Sequence, residues 1–212
     1  SRVTKADDEE ERQDAHTNGA ALTVQELNER LWLACQIGDA DVVRSAIEQG
    51  AHVNCADENG WTALHFAANA NQISVIQLLL MEKGADPELS DATGVTALML
   101  AASHGYTLAV EQLLVVGESQ NVNAHETVLG LTAMHLAAAN NHVHTFRPLY
   151  LHGADLLAED FSGRTPEMCA RLQGYYSTAE RLAMMAVGDA ETEASFRELK
   201  RASLTAEEAA IA

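Results

Sequence analysis

Four histidines between residues 135 and 152 could act in acid–base catalysis or bind a metal ion. His135 lies in the stretch GLTAMHLAAANNH, and His142, His144 and His152 follow at short spacing. Imidazole is a common zinc ligand and exchanges protons near neutral pH. Such a site would also need thiolate or carboxylate partners at ligand spacing, and the sequence places none beside these histidines. We therefore expect no metal, no cofactor and a structural role for His135.

The cysteines and the catalytic motifs give no enzyme signal either. The patterns G-x-S-x-G, G-x-G-x-x-G, H-E-x-x-H and the P-loop do not occur. Cys35 falls at an inward small-residue position and is expected to be buried and inert, whereas Cys55, in a connection, is expected to be more exposed. With Cys169 these are three widely separated thiols without a CxxC pair, so no disulfide is expected. The sequence predicts a non-enzymatic protein of the cytoplasm or nucleus.

The charge of the chain restricts its partners. The 212 residues carry a formal net charge of −18. Such an acidic surface repels phosphate backbones and anionic lipid, so neither nucleic acid nor membrane is expected as a partner. No apolar run approaches the length of a membrane span. We expect a monomer that binds a protein with a basic or mixed surface.

The stretch around His135 is one copy of an internal repeat. GWTALHFAANANQ begins at Gly60 and GVTALMLAASHGY at Gly94. The aligned threonines 62, 96, 132 and 165 are 34, 36 and 33 residues apart, and threonine is a good helix N-cap. Each repeat continues with small residues that allow close helix packing, a break, and a second apolar helix. The breaks are Gly38, Asn71, Gly105, Asn141 and Gly174. Gly and Asn best tolerate the left-handed conformation that ends a helix.

These residues resemble the ankyrin-repeat family. The matching text is NGWTALHFAANANQISVIQLLLMEKGADPELSD, and its pattern recurs over about residues 29–182. The resemblance implies an all-α solenoid of stacked helix–turn–helix units with projecting β-hairpin loops and a groove that binds protein. It also implies that His65 and His135 hydrogen-bond to the backbone of an adjacent turn. Trp32 and Met99 occupy the same position in other units, where packing is expected to replace that bond.

The predicted organisation is an ankyrin-repeat domain between two acidic ends. An acidic disordered tail is predicted at 1–21, units at about 22–60, 61–94, 95–130, 131–163 and 164–188, and an acidic extension at 189–212 with a helix near 194–203. Two departures from the repeat predict local differences in structure. Pro148 should remove a hydrogen bond and kink the second helix of its unit. The long link at 117–130 should form a longer, more mobile projecting turn.

Partner binding is predicted for residues whose identity the repeat does not dictate, at the projecting turns, just after the small helical residues and beside the breaks. They are Glu58, Asn59, Trp61, Asn69, Thr93, Val95, Ser103, His104, Tyr106, Leu129, Leu131, Asn140, His142, Phe161 and Arg164.

Two alternatives stay open for the side chains of the projecting turns. Trp61, Leu129 and Phe161 either anchor a partner or pack on the neighbouring turn. The carboxylates of Asp57 and Asp91 are expected both to stabilise their own turns and to add negative charge.

The function predicted from the sequence is that of an adaptor or scaffold, a protein–protein interaction module without catalysis. The alternative is a regulatory inhibitor or an assembly chaperone of an enzyme complex. That alternative rests on the habits of small ankyrin proteins and not on particular residues.

Overall fold

The computed structural model describes residues 22–117 and 121–188, and within these ranges the chain is helical with no sheet. The predicted tail at 1–21 and the extension at 189–212, including the expected helix near 194–203, lie outside the described residues. The helices are α1 (Val24–Ile37), α2 (Ala40–Glu48), α3 (Ala63–Asn69), α4 (Ile73–Glu82), α5 (Ala97–Ser103), α6 (Thr107–Val116), α7 (Ala133–Ala139), α8 (Phe146–Leu151) and α9 (Pro166–Leu172), followed by α10 at 176–188.

The helices stack in two layers. The odd-numbered helices contact one another in chain order from α1 to α9, and the even-numbered helices do so from α2 to α8. Within each of the first four units, the odd-numbered helix also packs on the even-numbered helix that follows it. Because a single pair of short helices cannot bury its apolar face alone, the core exists only between neighbouring units. The predicted all-α solenoid is confirmed.

The start and the end of the first helix in each unit have local causes. The hydroxyls of Thr96, Thr132 and Thr165 accept hydrogen bonds from N–H groups in the first turns of α5, α7 and α9. These bonds satisfy donors that have no partner within the helix. A residue with positive φ follows each of the five helices, as the repeat pattern predicts; these are Gly38, Asn71, Gly105, Asn141 and Gly174.

Small residues set the spacing between units. The paired alanines of α3, α5 and α7 are completely buried, and large aliphatic side chains fill the space between the layers. A methyl group is small enough to let neighbouring helix backbones approach closely, so the paired alanines fix the stacking distance. The alanines are Ala67, Ala68, Ala101, Ala102, Ala137 and Ala138, and the buried aliphatic residues include Leu31, Leu64, Leu79, Leu113 and Leu149.

Pro148 shortens its helix instead of kinking it, so the predicted kink is wrong. α8 has six residues, whereas α4 and α6 have ten each. Residues 143–145 form turns, and α8 begins at Phe146. Pro148 is therefore the third residue of the helix, where an N–H has no acceptor within the helix anyway. The chain adapts to the proline by starting the helix later.

Four projecting turns, which we call fingers 1 to 4, precede the first helices of units two to five. They comprise residues 56–61, 90–95, 125–131 and 159–164. The base of each finger is closed by a backbone hydrogen bond of 2.9–3.0 Å; the donor and acceptor pairs are Asp57–Trp61, Asp91–Val95, Glu126–Leu131 and Asp160–Arg164. Finger 3 is one residue longer than the others, as its long link predicts. Residues 118–120 of that link lie outside the described residues.

Candidate functional site

His65 and His135 connect each unit to the next finger. The Nε2 atom of His65 lies 3.0 Å from the carbonyl oxygen of Val95, and that of His135 lies 2.9 Å from the carbonyl oxygen of Arg164. A carbonyl oxygen only accepts, so Nε2 carries the proton and Nδ1 is left as an acceptor. Nδ1 of His135 lies 3.3 Å from the backbone nitrogen of Thr132, which donates to it. Both ring nitrogens are thus used in holding the fold.

Units one and three carry other residues at the position that His65 and His135 occupy. Met99 is buried without a comparable side-chain bond, as expected. Trp32, which was expected only to pack, donates its indole N–H to the carbonyl oxygen of Cys55 at 3.4 Å and stacks on Phe66. The bond to the next connection is therefore kept in unit one by a different donor.

The two bonded histidines make stability depend on pH. Burial lowers the pKa of His65 and of His135, and the bonds from Nε2 to the carbonyl oxygens only partly oppose this effect. The folded protein therefore binds fewer protons than the unfolded chain below the ordinary imidazole pKa of 6.5. We expect the free energy of unfolding to be highest above that pH and to fall as the pH decreases through the lowered pKa values.

Urea unfolding between about pH 7 and pH 5 measures this effect. The His65→Met/His135→Met variant should lose most of the pH dependence in that window. Carboxylates contribute at lower pH, because the pKa values of Asp91 and Glu126 are also lowered. An equally steep decline in the double variant would show that other groups cause it.

His142, His144 and His152 differ in their contacts and exposure. Nε2 of His142 lies 3.0 Å from the carbonyl oxygen of Ser103, and Nδ1 of His152 lies 2.8 Å from the carbonyl oxygen of Pro148. Because carbonyl oxygens accept, both imidazoles act as donors here. His144 is exposed. Within residues 22–117 and 121–188, no three His, Cys, Asp or Glu side chains are grouped as a metal ion requires.

Cys35 and Cys55 have the environments that the repeat pattern predicts. Cys35 is buried, and this burial raises its pKa to about 12. Cys169 is also buried, and its pKa is raised for the same reason. Cys55 is partly exposed, but burial raises its pKa too. None of the three is therefore a thiolate near neutral pH, which is the form a nucleophile needs.

Carboxylates hold the fingers in shape from within. Oδ1 of Asp91 accepts from the backbone nitrogens of Thr93 and Val95 at 2.8 and 2.9 Å. Asp57 and Asp160 make the equivalent pairs of bonds in fingers 1 and 4. Burial alone would raise the pKa of Asp91, but these hydrogen bonds outweigh it and the pKa is lowered. Asp91 thus stays ionised as part of its own turn.

Glu126 replaces aspartate in the longer finger 3. Its carboxylate is buried and accepts from the backbone nitrogens of Val128, Leu129 and Leu131 at 2.6, 2.6 and 3.1 Å. Desolvation opposes ionisation, yet the three bonds lower the pKa overall. The additional methylene of glutamate lets the carboxylate reach across the additional residue of this turn.

Trp61 belongs to the scaffold rather than to a free surface. Its indole N–H donates to Oδ2 of Asp91 in the next finger at 3.2 Å, and its ring meets the edge of Phe66 at 5.3 Å. The side chain is half-buried. Of the two alternatives for Trp61, packing on the neighbouring finger is the one that the structure shows.

Leu129 and Phe161 form an exposed apolar surface on fingers 3 and 4, in which the Phe161 ring also meets the His125 ring of finger 3 at 5.7 Å. Phe161 is 63% exposed, Leu129 47% and the adjacent Val128 66%. The backbone nitrogen of Phe161 donates to the carbonyl oxygen of Leu129 at 2.8 Å, which fixes the two residues side by side. We call Val128, Leu129 and Phe161 the apolar patch. Exposed apolar groups held on ordered backbone suit a binding surface.

A second group of predicted residues meets around the breaks of units three and four. The rings of His104 and Tyr106 stack 5.3 Å apart, and Ser103 is joined to His142 through its carbonyl oxygen. Asn140, in the following unit, bonds to the carbonyl oxygen of Leu136. These side chains are exposed or half-buried, so the structure leaves them accessible beside the fingers.

Three predicted residues are engaged within the fold. Arg164 donates from Nε and Nη2 to the buried carboxylate of Asp160 at 2.7 Å each, so its charge is neutralised locally. Val95 and Leu131 are half-buried, and their carbonyl oxygens accept the bonds that close fingers 2 and 3. These three residues therefore shape the fingers more than they extend the surface.

The other four predicted residues lie at the first two fingers and on α3. Glu58 and Asn59 are exposed on finger 1, and Thr93 is exposed on finger 2. Asn69 is half-buried near the end of α3. Sequence reasoning missed the cleft of about 640 Å³ between finger 1 and α1, where Glu29 and Trp32 face residues 56–59. The 14-residue length of α1, against seven for α3, was the available signal.

Among the described helices, none is long and apolar enough to cross a membrane. The chain is 32% identical over 151 residues to the nuclear factor NF-kappa-B p105 subunit of Gallus gallus, which covers 70% of this chain and 15% of that protein. It is 42% identical over 62 residues to ankyrin repeat domain-containing protein 40 of Mus musculus, covering 29% of this chain and 17% of the relative. It is 41% identical over 63 residues to the 2-5A-dependent ribonuclease of Mus musculus, covering 29% of this chain and 9% of that protein. The matched regions are thus a small part of these relatives.

A family model described as ankyrin repeats (3 copies) matches residues 31–124 and 98–193, which together span most of the chain. Proteins of this kind generally mediate protein–protein interaction and are generally not catalysts. The histidine bonds, the finger turns and the stacked helix pairs agree with this match. The chain belongs to the ankyrin-repeat family.

Proposed function

We propose that this chain is a non-enzymatic adaptor or scaffold module that binds a partner protein through its finger tips and the accessible side of its short first helices. The observation that carries the proposal is the apolar patch of Val128, Leu129 and Phe161, exposed on adjacent fingers. Burying such side chains against a partner removes apolar surface from water. Large apolar residues of this type commonly supply most of the energy of an interface.

Order in the fingers supports the same proposal. Leu129 is held by the bond from its nitrogen to Glu126, and its carbonyl oxygen accepts from Phe161. Loops that are ordered before binding lose less conformational entropy when a partner arrives. The apolar patch therefore favours a stable, specific complex more than a mobile loop of the same composition would.

The charge of the chain indicates the partner's chemistry. Exposed acidic side chains such as Glu58 and Glu159 accompany the finger tips, and the net charge is −18. A basic or mixed protein surface is attracted to them, whereas nucleic acid and anionic membranes are repelled. We expect the rate of association, and more weakly the affinity, to fall with added salt. We propose a monomer in the cytoplasm or nucleus, consistent with its unpaired thiols.

A paired alanine substitution tests the apolar patch. Leu129→Ala/Phe161→Ala should weaken binding to a partner captured from a native lysate by at least about ten-fold, because each truncation removes about 1 kcal/mol or more of buried contact. Affinity capture with quantitative mass spectrometry identifies the partner, and titration of that purified partner measures the loss.

Leu108→Ala/Val115→Ala is the matched control, since both side chains are similarly exposed but lie on α6 in the other layer. Thermal unfolding of each variant shows whether the fold is intact. Equal affinity of the patch variant and the wild type for the captured partner would refute the proposed binding surface.

Regulation or assembly of an enzyme complex is the second candidate function. It is favoured by the similarity to the Gallus gallus relative, which is named as a subunit and thus as part of a larger complex. If the captured partner is an enzyme, adding the chain should change its turnover at concentrations that saturate binding. Unchanged turnover at saturation would leave only the adaptor function.

A further inference from the structure

Neighbouring fingers are joined edge to edge by backbone hydrogen bonds. The nitrogen of Ala92 donates to the carbonyl oxygen of Asn59 at 3.0 Å, and that of Thr127 donates to the carbonyl oxygen of Thr93 at 2.8 Å. Phe161 donates to Leu129 in the same manner. Each finger from the second onward thus uses the N–H of the residue after its structural carboxylate to donate to a carbonyl oxygen at the tip of the preceding finger.

Finger 1 has the same donor without the acceptor. Glu58 follows Asp57 just as Ala92 follows Asp91, and its N–H has no hydrogen-bond partner among residues 22–117 and 121–188. No other finger lies on this side within the described chain. The equivalent bonds in the other three fingers show that such an N–H donates to a backbone carbonyl oxygen of the neighbouring segment.

A cleft lies at this free edge. α1 begins at Val24, eight residues before Trp32, whereas α3 begins at Ala63, two residues before the equivalent His65. The additional residues at the start of α1 stand opposite residues 56–59. The cleft between them has a volume of about 640 Å³, which is larger than a single side chain needs. Space for an extended peptide is therefore present beside the free N–H of Glu58.

The side chains of the cleft suit a basic group on an apolar stem. Trp32 is half-buried in the wall, with its ring fixed by the stack on Phe66 and by the bond to Cys55. Glu29 and Glu58 are exposed carboxylates in the same lining. Arginine and lysine combine an aliphatic stem with a cation that is attracted both to indole rings and to carboxylates.

We propose that this cleft binds an extended segment of a partner protein that carries an arginine or a lysine. One backbone carbonyl of the segment accepts from the N–H of Glu58, as Asn59 accepts from Ala92. The basic side chain lies in the cleft with Trp32, Glu29 and Glu58. This inference rests on the proposed protein-binding function and adds a second, chemically defined contact at the opposite end of the fingers from the apolar patch.

Charge argues against the chain's own residues 1–21 as the occupant. They contain six acidic side chains (Asp7, Asp8, Glu9, Glu10, Glu11, Asp14) and three basic ones (Arg2, Lys5, Arg12), a net charge of −3. An acidic segment is repelled by the carboxylates of the cleft. A basic segment from a separate chain is attracted.

Backbone NMR of the full chain with capped pentapeptides tests the proposal. The probes are acetyl-Gly-Ala-Arg-Ala-Gly-amide and the same peptide with glutamine in place of arginine. The arginine peptide should shift the amide signal of Glu58 and the indole signal of Trp32 in a saturable manner. The glutamine peptide should bind at least about five-fold more weakly, because it lacks the cation.

Glu29→Gln/Glu58→Gln should weaken the arginine peptide by about five-fold while keeping the backbone donor. Glu159→Gln/Glu180→Gln is the matched control, since it changes the net charge equally with exposed residues at the other end of the chain. Equal weakening by both pairs, or no saturable shift of the Glu58 amide, would overturn the proposal.

The Glu58 amide signal and partner capture together distinguish the remaining outcomes. If replacing Arg2, Lys5 and Arg12 by alanine moves the Glu58 amide without peptide, the chain's own tail is the occupant and a separate partner is excluded there. If the arginine peptide gives no response but the captured partner still depends on Leu129 and Phe161, only this inference fails. Failure of the wild-type chain to capture any partner protein would refute the proposed function instead.

Discussion

Replacing Gly60 by alanine is expected to reduce the free energy of unfolding by about 3 kcal/mol or more. Gly60 has φ +88°, and a Cβ atom there would lie 2.6 Å from the backbone nitrogen of Ala92 and 2.9 Å from Cα of Asp91. These contacts are with backbone, so no side-chain rotation relieves them. The substitution must push finger 2 away from finger 1, and Trp61 must then lose its bond to Asp91.

Gly163→Ala is the matched comparison, because it has the same type of backbone conformation without the neighbour. Its φ is +70°, but the nearest atom to an added Cβ is 4.0 Å away. The expected loss is only the conformational strain, about 1–2 kcal/mol. Urea unfolding followed by circular dichroism measures both variants. Similar losses in the two would mean that close finger contact does not stabilise the protein.

His135→Ala is expected to destabilise the protein by about 3 kcal/mol, because it combines a core cavity with lost hydrogen bonds. The imidazole is completely buried. Its removal leaves the carbonyl oxygen of Arg164 and the N–H of Thr132 without the partners that they have in the native structure. Finger 4 should also become less protected from amide hydrogen exchange, since His135 joins it to α7.

Methionine should partly rescue this position. Met99 occupies the equivalent site of unit three and is fully buried there, so His135→Met fills the cavity and loses only the bonds, at about 1–2 kcal/mol. His144→Ala, at an exposed site, should change stability by less than about 0.5 kcal/mol. A methionine variant as unstable as the alanine variant would show that the hydrogen bonds, and not the filling of space, account for the effect.

Short-range chemistry explains how much of the fold could be predicted. The threonine caps, the small helical residues and the positive-φ breaks act within one turn of helix, so their repetition along the sequence was enough to predict the stacked helix pairs. Pro148 was misjudged because its effect depends on where its helix begins. That start is set by residues 143–145, which form turns that no simple sequence pattern predicts.

The candidate site could be predicted only in part, since its decisive contacts join residues about 30 positions apart. Trp61 and Phe161 are both large and apolar at the tips of fingers, yet Trp61 is tied to Asp91 of the next finger and Phe161 remains exposed. The difference is the neighbour that each meets. Finger 2 offers a carboxylate to Trp61, whereas no further finger follows Phe161 within the described chain.

By itself the sequence determined the repeating unit, its helical character, the ends of most helices and the negative net charge, because each of these follows from residue types and their spacing. Only the tertiary structure decided which finger side chains are available to a partner, that Glu126 spans a longer turn, and that a cleft opens beside Glu58. Those features arise where one unit meets the next or where a neighbour is missing. Their energies come from packing and hydrogen bonds across the stack, which no single repeat contains.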